Sequence, residues 1–147
     1  MAADAADIAE LVSAYAAEGL LLPRSAEDIE EAIEDYVVVV DKHDRVRGCA
    51  ALHSYSPSVA EVASVAVERS SHGSGLGGLV VRAVEAMARQ RGHREVFAVT
   101  RAGRFFDSLG YGAADLAWYP EKRLRYDALR ERGVQVEPKP CVRKVLS

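Results

Sequence analysis

A glycine-rich segment between a strand-like stretch and a helix-like stretch constrains the fold of this chain more than any other feature. It reads H-G-S-G-L-G at residues 72–77, follows the apolar run V-A-E-V-A-S-V-A-V at 59–67, and leads into apolar residues at helical spacing up to Met87. Backbone N–H groups of such a loop converge on an anion, and the start of the following helix adds partial positive charge. The pattern therefore predicts an α/β fold with an anion-binding loop, and a plain strand-to-helix turn is the alternative.

Two common phosphate-binding motifs fit this segment poorly. A P-loop needs a lysine and a serine or threonine directly after its last glycine, and no lysine follows these glycines. A dinucleotide-binding loop reads G-x-G-x-x-G and lies near the start of a parallel sheet. Here the loop begins near residue 70, after strands that read as an antiparallel meander. The spacing of these glycines therefore favours neither a P-loop nor a dinucleotide-binding loop.

The strands before the loop carry one charged residue at an unusual place. Residues 36–40 and 46–53 are apolar and flank the polar turn K-H-D-R, which predicts a hairpin. Strict alternation along the third strand then gives one face with five members, which are Val59, Glu61, Ala63, Val65 and Val67. Glu61 therefore lies in the middle of an apolar strand.

The rest of the chain alternates helices and strands. Helical spacing and terminal signals predict helices over residues 4–18, 76–91, 104–109 and 120–133. Ser25 and Asp28 form a capping pattern that predicts the start of one more helix. Residues 95–99 read as a strand, and Tyr111 opens another extended piece. The tail over 134–146 is extended by composition, and Pro138 and Pro140 favour an edge position or a kink for its strand.

Composition and charge limit the class of protein. The chain has 147 residues, 49% of them hydrophobic and 28% charged, and 19 Lys and Arg against 22 Asp and Glu give a net charge of −3. These values are typical of one globular domain, which we expect to span residues 1–147. The negative charge offers no basic field to nucleic acid or to an anionic membrane, so small molecules are the expected partners.

The cysteines and the N-terminus add expectations about metals and location. The two cysteines, Cys49 and Cys141, lie in no pattern of metal-ligand spacing, so we expect no metal site. The N-terminal M-A-A-D-A-A-D-I-A-E has no basic region followed by an apolar stretch. No run of about 18 apolar residues occurs either. A cytoplasmic location, without secretion or membrane insertion, is the expectation.

The glycine-rich loop resembles the R/Q-x-x-G-x-G/A motif of the Gcn5-related N-acetyltransferases, with His72 where the family has Arg or Gln. In that family the loop binds the diphosphate of acetyl-CoA. Six ordered segments further resemble the acetyltransferase domain of N-acetylglutamate synthases. They are G-L-L-L-P-R-S (19–25), C-A-A-L (49–52), E-V-A-S-V-A-V (61–67), F-A-V-T-R (97–101), F-F-D-S-L-G-Y (105–111) and Y-P-E-K-R-L-R-Y-D (119–127). Long synthases carry an amino-acid-kinase domain before this one, so a short, stand-alone form is expected.

The resemblance implies a fold and a co-substrate. The implied fold is the α/β acyl-CoA N-acyltransferase fold, a mixed and mostly antiparallel sheet flanked by helices and splayed after the Glu61 strand. Acetyl-CoA is the implied co-substrate, with its pantetheine against the exposed backbone of residues 64–67 and its diphosphate in the loop. The implied cofactor-binding residues are Val65, Ala66, Val67, His72, Gly73, Ser74, Gly75, Leu76 and Gly77.

Glu61 and Thr100 are the predicted catalytic residues. An α-amine with a pKa above about 7.7 is mostly ammonium at neutral pH, and only its lone pair attacks a thioester, so a base is required. A carboxylate inside an apolar strand is costly to bury without a role, and the resemblance maps the synthases' proposed base onto Glu61. A structural ion pair with an arginine is the alternative. Many relatives protonate the departing thiolate with a Tyr, and Phe106 stands at that position here, so Thr100 is the candidate proton donor. The alternative is that Thr100 is present only because threonine favours strands.

Arginines are the predicted substrate ligands. Glutamate offers two carboxylates, which guanidinium groups bind by paired hydrogen bonds. Arg24 matches the arginine of the synthases' G-[IL]-L-x-[PR]-R-[SD] loop, and a solvated loop arginine is the alternative. Arg130 and Arg143 are both candidates for a second contact, because the chain departs from the family pattern near its C-terminus. For these two, and for Lys122, a solvated face is the alternative.

The predicted function is transfer of the acetyl group of acetyl-CoA to the α-amine of L-glutamate by direct attack, with the product entering arginine biosynthesis. Two alternatives stay open. The first is acetylation of another small amine by the same fold, and the second is a catalytically idle CoA-binding sensor module. For the assembly, a homodimer is compatible with this function.

Overall fold

The computed structural model describes residues 2–136 and 138–147, which form one mixed six-stranded sheet with helices on both faces. The helices are α1 (Ala2–Ala16), α2 (Ala26–Glu31), α3 (Leu76–Gln90), α4 (Gly103–Ser108) and α5 (Pro120–Glu131). The strands are β1 (Tyr36–Val40), β2 (Val46–Ser54), β3 (Val59–Val67), β4 (Glu95–Val99), β5 (Gly112–Ala114) and β6 (Cys141–Val145). Short 3₁₀ turns span Ile33–Asp35, Arg69–Ser71 and Leu116–Trp118.

The order of strands across the sheet is β1-β2-β3-β4-β6-β5. Strands β1, β2 and β3 form the predicted antiparallel meander, and β3 pairs parallel with β4. The remaining pairs, β4 with β6 and β6 with β5, are antiparallel. The predicted fold class, a mixed and mostly antiparallel sheet flanked by helices, is therefore confirmed.

Each face of the sheet has its own apolar core. Helix α1 covers one face with Ile8 and Val12, both fully buried. Helix α3 covers the other face with Val80, Val84 and Ala88, which recur every four residues. Leu79 of the same helix does not belong to this apolar face and is 51% exposed. Within the described residues, no helix is long and apolar enough to cross a bilayer.

A bulge in β3 overturns the predicted alternation of its side chains. Ala63 pairs with Ala51 and Ala66 with Cys49, so three steps along β3 match two steps along β2. The extra residue is Ser64, whose φ of 53° lies in the left-handed region. As a result Val65 packs on the α3 core together with Val62, and not on the face that carries Glu61. The prediction that Val65 and Val67 share the face of Glu61 was wrong.

Strand β6 lies inside the sheet and not at its edge. It begins at Cys141, after both prolines, and pairs with β4 on one side and β5 on the other. Pro138 and Pro140 precede the paired residues, so their missing N–H groups cost the sheet no hydrogen bond. Instead the carbonyl of Pro140 accepts a hydrogen bond from the Thr100 amide at 2.8 Å. The expectation of an edge or kinked strand was wrong for this reason, and Glu137 of the same tail lies outside the described residues.

The sheet opens between β3 and β4. Their parallel pairing consists of Val59 with Glu95, Ala60 with Val96, and Glu61 with Phe97. Beyond Glu61 the ladder between these strands ends, so the edge of β3 that faces β4 is open from residue 62 onward. The expected splay after Glu61 is confirmed, and the resulting cleft lies between the open edge of β3, the loop before α3, and α4.

A buried polar network fixes α4 beside this cleft. Glu85 of α3 is 2% exposed and receives hydrogen bonds from the Tyr111 hydroxyl at 2.7 Å and from Lys144 Nζ at 3.0 Å. Lys144 Nζ also donates to the carbonyl of Leu109 at 2.8 Å. Because Leu109 and Tyr111 directly follow α4, the network ties the end of α4 to both α3 and β6.

Candidate active site

The cleft between β3 and β4 has a volume of about 430 Å³. Its walls come mainly from the loop after α1, from β2 and the open edge of β3, from the loop before α3, from the region between β4 and α4, and from α5. Glu61 lies at one end of the lining and Gly73 and Gly77 at the other. The structure therefore brings the predicted base and the predicted anion-binding loop to one cavity.

The loop before α3 has the backbone shape that its glycines predict. Gly73 and Gly75 have φ angles of 83° and 84°, which L side chains rarely adopt. Gly75 is the N-cap of α3, and the first amides of a helix have no acceptor within it. Among the described residues, the amides of Gly75, Leu76 and Gly77 have no backbone acceptor. They form a set of free donors at a helix N-terminus, the arrangement that binds a diphosphate.

His72 connects this loop to the end of β3. Its Nε2 lies 2.8 Å from the Tyr15 hydroxyl oxygen and 3.1 Å from the Val67 carbonyl oxygen. The Tyr15 hydroxyl in turn donates to the same carbonyl at 2.6 Å. Helix α1, β3 and the loop are thus joined at one carbonyl. At the other end of the loop, a Cβ on Gly77 would lie 3.0 Å from the Phe105 ring, which explains a glycine there.

The bulge gives the open edge of β3 its functional shape. Ser64, Val65 and Val67 line the cleft, whereas Ala66 is buried against the α1 core. Since β4 no longer pairs with this stretch, its backbone amides and carbonyls on that side are available to a ligand that runs along the strand. Ser74 lies in the loop but does not line the cleft, and its hydroxyl donates to the Ser71 carbonyl.

Glu61 is 3% exposed and contacts two polar side chains. Lys122 Nζ of α5 lies 2.9 Å from Glu61 Oε1, and the Tyr55 hydroxyl donates to the same oxygen at 2.9 Å. Within the described part of the chain, both contacts fall on Oε1, so Oε2 has no protein partner. Burial lowers the pKa of Lys122 from its usual value, an effect that the charge of Glu61 partly counters. The alternative interpretation gave Glu61 an arginine as its ion-pair partner, and the structure places a lysine there.

Lys122 is the first functional residue that the sequence interpretation misjudged. A solvated face was one alternative for it, but Lys122 is 3% exposed and its ammonium lies 4.5 Å from the centre of the Tyr126 ring. Helix α5 reads as strongly polar, with Glu121, Arg123 and Arg125 around Lys122. Nothing in such a pattern marks one lysine as buried. Only the buried acid on β3, which needs a counter-charge, could have indicated a partner.

Arg24 and His53 form the second polar group of the cleft. Arg24 directly precedes Ser25, whose hydroxyl caps α2 by accepting from the Asp28 amide at 3.1 Å. Arg24 Nη2 donates to His53 Nε2 at 3.0 Å. Burial, and after it the charges of Arg24, Arg125 and Lys122, together lower the pKa of His53 to about 3. His53 and Arg125 were both missed by the sequence interpretation.

Arg130 and Arg143 do not line the cleft. Arg130 is exposed, with Nη1 3.4 Å from Asp127 and Nη2 3.4 Å from the Val136 carbonyl. Arg143 pairs with Glu95 at 3.0 Å and lies over the Trp118 ring. It borders a separate cavity of about 350 Å³ on the far side of Tyr55 and Phe97. Their role as substrate ligands stays a prediction, and the cleft itself brings together Arg24, Lys122 and His53.

Thr100 lines the cleft at the end of β4. Its Oγ1 accepts a hydrogen bond from the Ala102 amide at 2.9 Å, which leaves the hydroxyl hydrogen to donate elsewhere. Phe106 also lines the cleft but is 3% exposed and packs edge-on against Phe105 and Tyr111. Among the described cleft residues between Ala98 and Phe106, Thr100 is the one that carries a hydroxyl.

The low pKa of His53 predicts a pH dependence of stability. The folded-state pKa of about 3 lies below the ordinary value of 6.5, so between these values the unfolded chain binds more protons than the folded one. Stability is then complete above pH 6.5 and is lost as the pH falls toward 3, at up to about 1.4 kcal/mol per pH unit. Urea unfolding of wild type and His53→Gln at pH 4, 5, 6 and 7 checks this. The difference between the two free energies of unfolding should shrink steadily toward low pH, and parallel curves would contradict it.

Neither cysteine is expected to act as a nucleophile. Burial raises the pKa of both the Cys49 and the Cys141 thiol to about 12, and the thiolate is the reactive form. Native enzyme treated with N-ethylmaleimide at pH 7 should therefore keep its activity, and both thiols should be modified only after unfolding. Rapid inactivation that acetyl-CoA prevents would contradict this. Among the described residues, no group of three or more His, Cys, Asp or Glu could hold a metal ion.

A splayed sheet with a free-amide loop at one end of the cleft and a buried acid at the other defines a CoA-dependent acyltransferase. The particular family follows from comparison with known proteins. The model of the acetyltransferase (GNAT) family matches residues 6–111, and the chain belongs to this family. It is therefore an acetyltransferase, and acetyl-CoA is the acetyl donor of its chemistry.

Three known proteins are similar to the chain in sequence or in structure. An uncharacterized N-acetyltransferase of Chlorobaculum tepidum is 38% identical over 123 residues, 84% of this chain and 79% of that protein. An amino-acid acetyltransferase of Mannheimia succiniciproducens is 31% identical over 138 residues, 92% of this chain and 31% of that protein. The solved N-acetylglutamate synthase of Neisseria gonorrhoeae, complexed with coenzyme A and N-acetyl-glutamate, is 27% identical with a TM-score of 0.84, over 98% of this chain and 33% of that one. The chain thus spans about a third of the length of the latter two.

Proposed function

We propose that the protein transfers the acetyl group of acetyl-CoA to the α-amine of L-glutamate. The observation that carries the proposal is the charge of the cleft. Arg24 and Lys122 line the cleft, and the charge of Arg125 on α5 also acts on Lys122 and His53, whereas Glu61 is the buried carboxylate of this region. An amino acid whose reactive form bears two carboxylates and a neutral amine balances this excess of positive charge, whereas a cationic amine would add to it.

The cleft also supports a defined place for the co-substrate. In the proposed complex the diphosphate of acetyl-CoA accepts hydrogen bonds from the free amides of Gly75, Leu76 and Gly77, with the remaining loop residues around it. The pantetheine runs along the open edge of β3, against Val65 and Val67. The thioester then lies toward the Glu61 end of the cleft.

Proton removal from the substrate is the role proposed for Glu61. The α-ammonium gives one proton to Glu61, whose Oε2 has no protein partner among the described residues, while Lys122 and Tyr55 hold Oε1. The freed nitrogen lone pair attacks the thioester carbon, a C–N bond forms, and the C–S bond breaks. The CoA thiolate leaves and takes up the second proton of the nitrogen, for which the Thr100 hydroxyl is the proposed relay. No covalent enzyme intermediate is required.

The proposal extends to the setting of the enzyme. The relatives named amino-acid acetyltransferase and N-acetylglutamate synthase support an amino acid as acceptor. A product N-acetyl-glutamate would enter arginine biosynthesis in the cytoplasm, with residues 1–147 acting as one catalytic domain. Nucleic acid and membranes have no place in this proposal, and a homodimer is compatible with it.

The experiment that tests the proposal is release of free thiol from acetyl-CoA with each of the twenty amino acids, and with polyamines, in turn. L-glutamate should give the highest kcat/KM, aspartate a lower one, and lysine and polyamines none. Two outcomes would overturn the proposal. Turnover of a cationic amine without turnover of glutamate assigns the enzyme a different acceptor, and calorimetric binding of acetyl-CoA without turnover of any amine assigns it the role of a CoA-binding module.

A further inference from the structure

His53 is a cleft histidine to which the proposed reaction gives no task. It lies on β2 directly opposite Glu61 in the register of β2 and β3, so the two side chains are neighbours across the strands. A histidine beside a carboxylate that accepts the substrate proton is an obvious candidate for a proton carrier. The hydrogen bond between His53 and Arg24 argues against that role.

The contact with Arg24 fixes the protonation state of the ring. A guanidinium group has only N–H donors and no acceptor, so in the 3.0 Å contact between Arg24 Nη2 and His53 Nε2 the ring nitrogen must accept. A neutral imidazole that accepts at Nε2 carries its proton on Nδ1. Protonation of Nε2 would remove the acceptor and set two cations side by side. The ring is thus a neutral acceptor whose lone pair is already in use.

The charges around His53 act in the same direction. Arg24 faces it from the loop after α1, and Lys122 and Arg125 face it from α5. Glu61, opposite His53 on β3, is an acidic neighbour, but its Oε1 is held by Lys122. Together with burial, these cations keep the imidazole neutral well below neutral pH. His53 therefore does not take up a second proton where the enzyme works.

We propose that His53 is a positioning residue that holds the Arg24 guanidinium over the cleft for a substrate carboxylate. Arg24 belongs to a loop and is anchored on one side by the Ser25 cap of α2, which fixes its backbone but not its side chain. The hydrogen bond from Nη2 to the rigid strand β2 orders the side chain. The other guanidinium edge has no partner among the described residues and can form two parallel hydrogen bonds to a carboxylate. Ordering before binding lowers the cost of recognition. This inference rests on the proposed function.

Two substitutions of His53 distinguish the effect of its hydrogen-bond acceptor from the effect of the imidazole ring as a whole. His53→Leu has a similar volume and no acceptor, whereas His53→Gln presents an amide oxygen that accepts from Arg24. With L-glutamate varied at saturating acetyl-CoA, His53→Leu should raise KM for glutamate about 10- to 100-fold, the value of a hydrogen bond to a charged group. The kcat and the KM for acetyl-CoA should change little, and His53→Gln should restore the KM for glutamate to near the wild-type value. His93→Gln, which changes a buried histidine outside the cleft, is the matched control.

Kinetic outcomes of two kinds would overturn the inference. If His53→Leu binds glutamate as wild type does, Arg24 needs no support from His53. If both variants lose kcat while KM is kept, and the acidic limb of the pH profile disappears, His53 carries a proton. Rescue by Gln but not by Leu is a result that a merely structural role for His53 would not give.

The state of the ring can be observed without turnover. Long-range ¹H–¹⁵N correlation spectra of wild type, with His53 assigned by its absence in His53→Gln, should show a neutral ring protonated on Nδ1 from pH 8 to pH 5. A ring protonated on Nε2, or one that titrates near its ordinary value, overturns the inference even if His53→Leu does not fold. If wild type fails to acetylate glutamate, the proposed function fails, and the spectrum still decides whether His53 accepts from Arg24.

Discussion

Glu61→Gln is expected to lower kcat with L-glutamate by about 10²- to 10⁴-fold, the usual contribution of a general base, while the Kd for acetyl-CoA changes little. Glu61 lies at the opposite end of the cleft from the free amides that would hold the diphosphate, so its charge affects the acceptor and not the donor. The loss should be largest at low pH, because the variant depends on amine that solution has already deprotonated. Its rate should therefore rise about tenfold per pH unit below the pKa of the amine.

The interpretation of Glu61→Gln depends on Lys122, the ion-pair partner of Glu61. Removing one partner of a buried ion pair leaves the other charge uncompensated, at a cost of about 3 to 5 kcal/mol, and Lys122 is such a partner. The double variant Glu61→Gln/Lys122→Met removes both charges and should regain stability without regaining activity. Glu95→Gln, which alters a paired glutamate on the next strand, is the matched control. Equal pH profiles of Glu61→Gln and wild type would exclude Glu61 from the mechanism.

Local patterns predicted most of the fold. The strand, glycine loop and helix over residues 59–90 form as expected because each signal is local, as in the positive φ of Gly73 and Gly75. The errors concern relations between distant segments. The bulge at Ser64 depends on how β3 pairs with β2, and the interior position of β6 depends on pairing with both β4 and β5. Neither partner can be identified from the residues of the strand itself.

The site divides in the same way. Glu61, Arg24 and the loop were predicted because each is conspicuous in its own segment, as a charge among apolar residues or as glycines before a helix. Lys122 and His53 gave no such signal, since one lies in a polar helix and the other at the end of an apolar strand. Their roles follow only from what they contact, Glu61 at 2.9 Å and Arg24 at 3.0 Å. The role of a residue that acts through a partner can be identified only once the structure shows the contact between the two.

Arg24→Met is expected to raise the KM for L-glutamate by about 10²-fold or more, because a guanidinium contributes two charge-assisted hydrogen bonds to a carboxylate. The KM for acetyl-CoA should be unaffected. Arg24→Lys, which keeps the charge but not the planar fork, should give an intermediate loss. Arg143→Met tests the competing expectation from sequence. Since Arg143 pairs with Glu95 outside the cleft, its removal should leave the KM for glutamate nearly unchanged.

Comparison of glutamate with glutamine identifies the carboxylate that Arg24 binds. If Arg24 holds the side-chain carboxylate, Arg24→Met loses affinity for glutamate and not for glutamine, so the preference between the two substrates collapses. If it holds the α-carboxylate, which both substrates carry, both lose equally and the preference survives. Steady-state kinetics of wild type and Arg24→Met with both amino acids separate these cases. A KM for glutamate that equals that of wild type would contradict both, and would remove the guanidinium of Arg24 from substrate recognition.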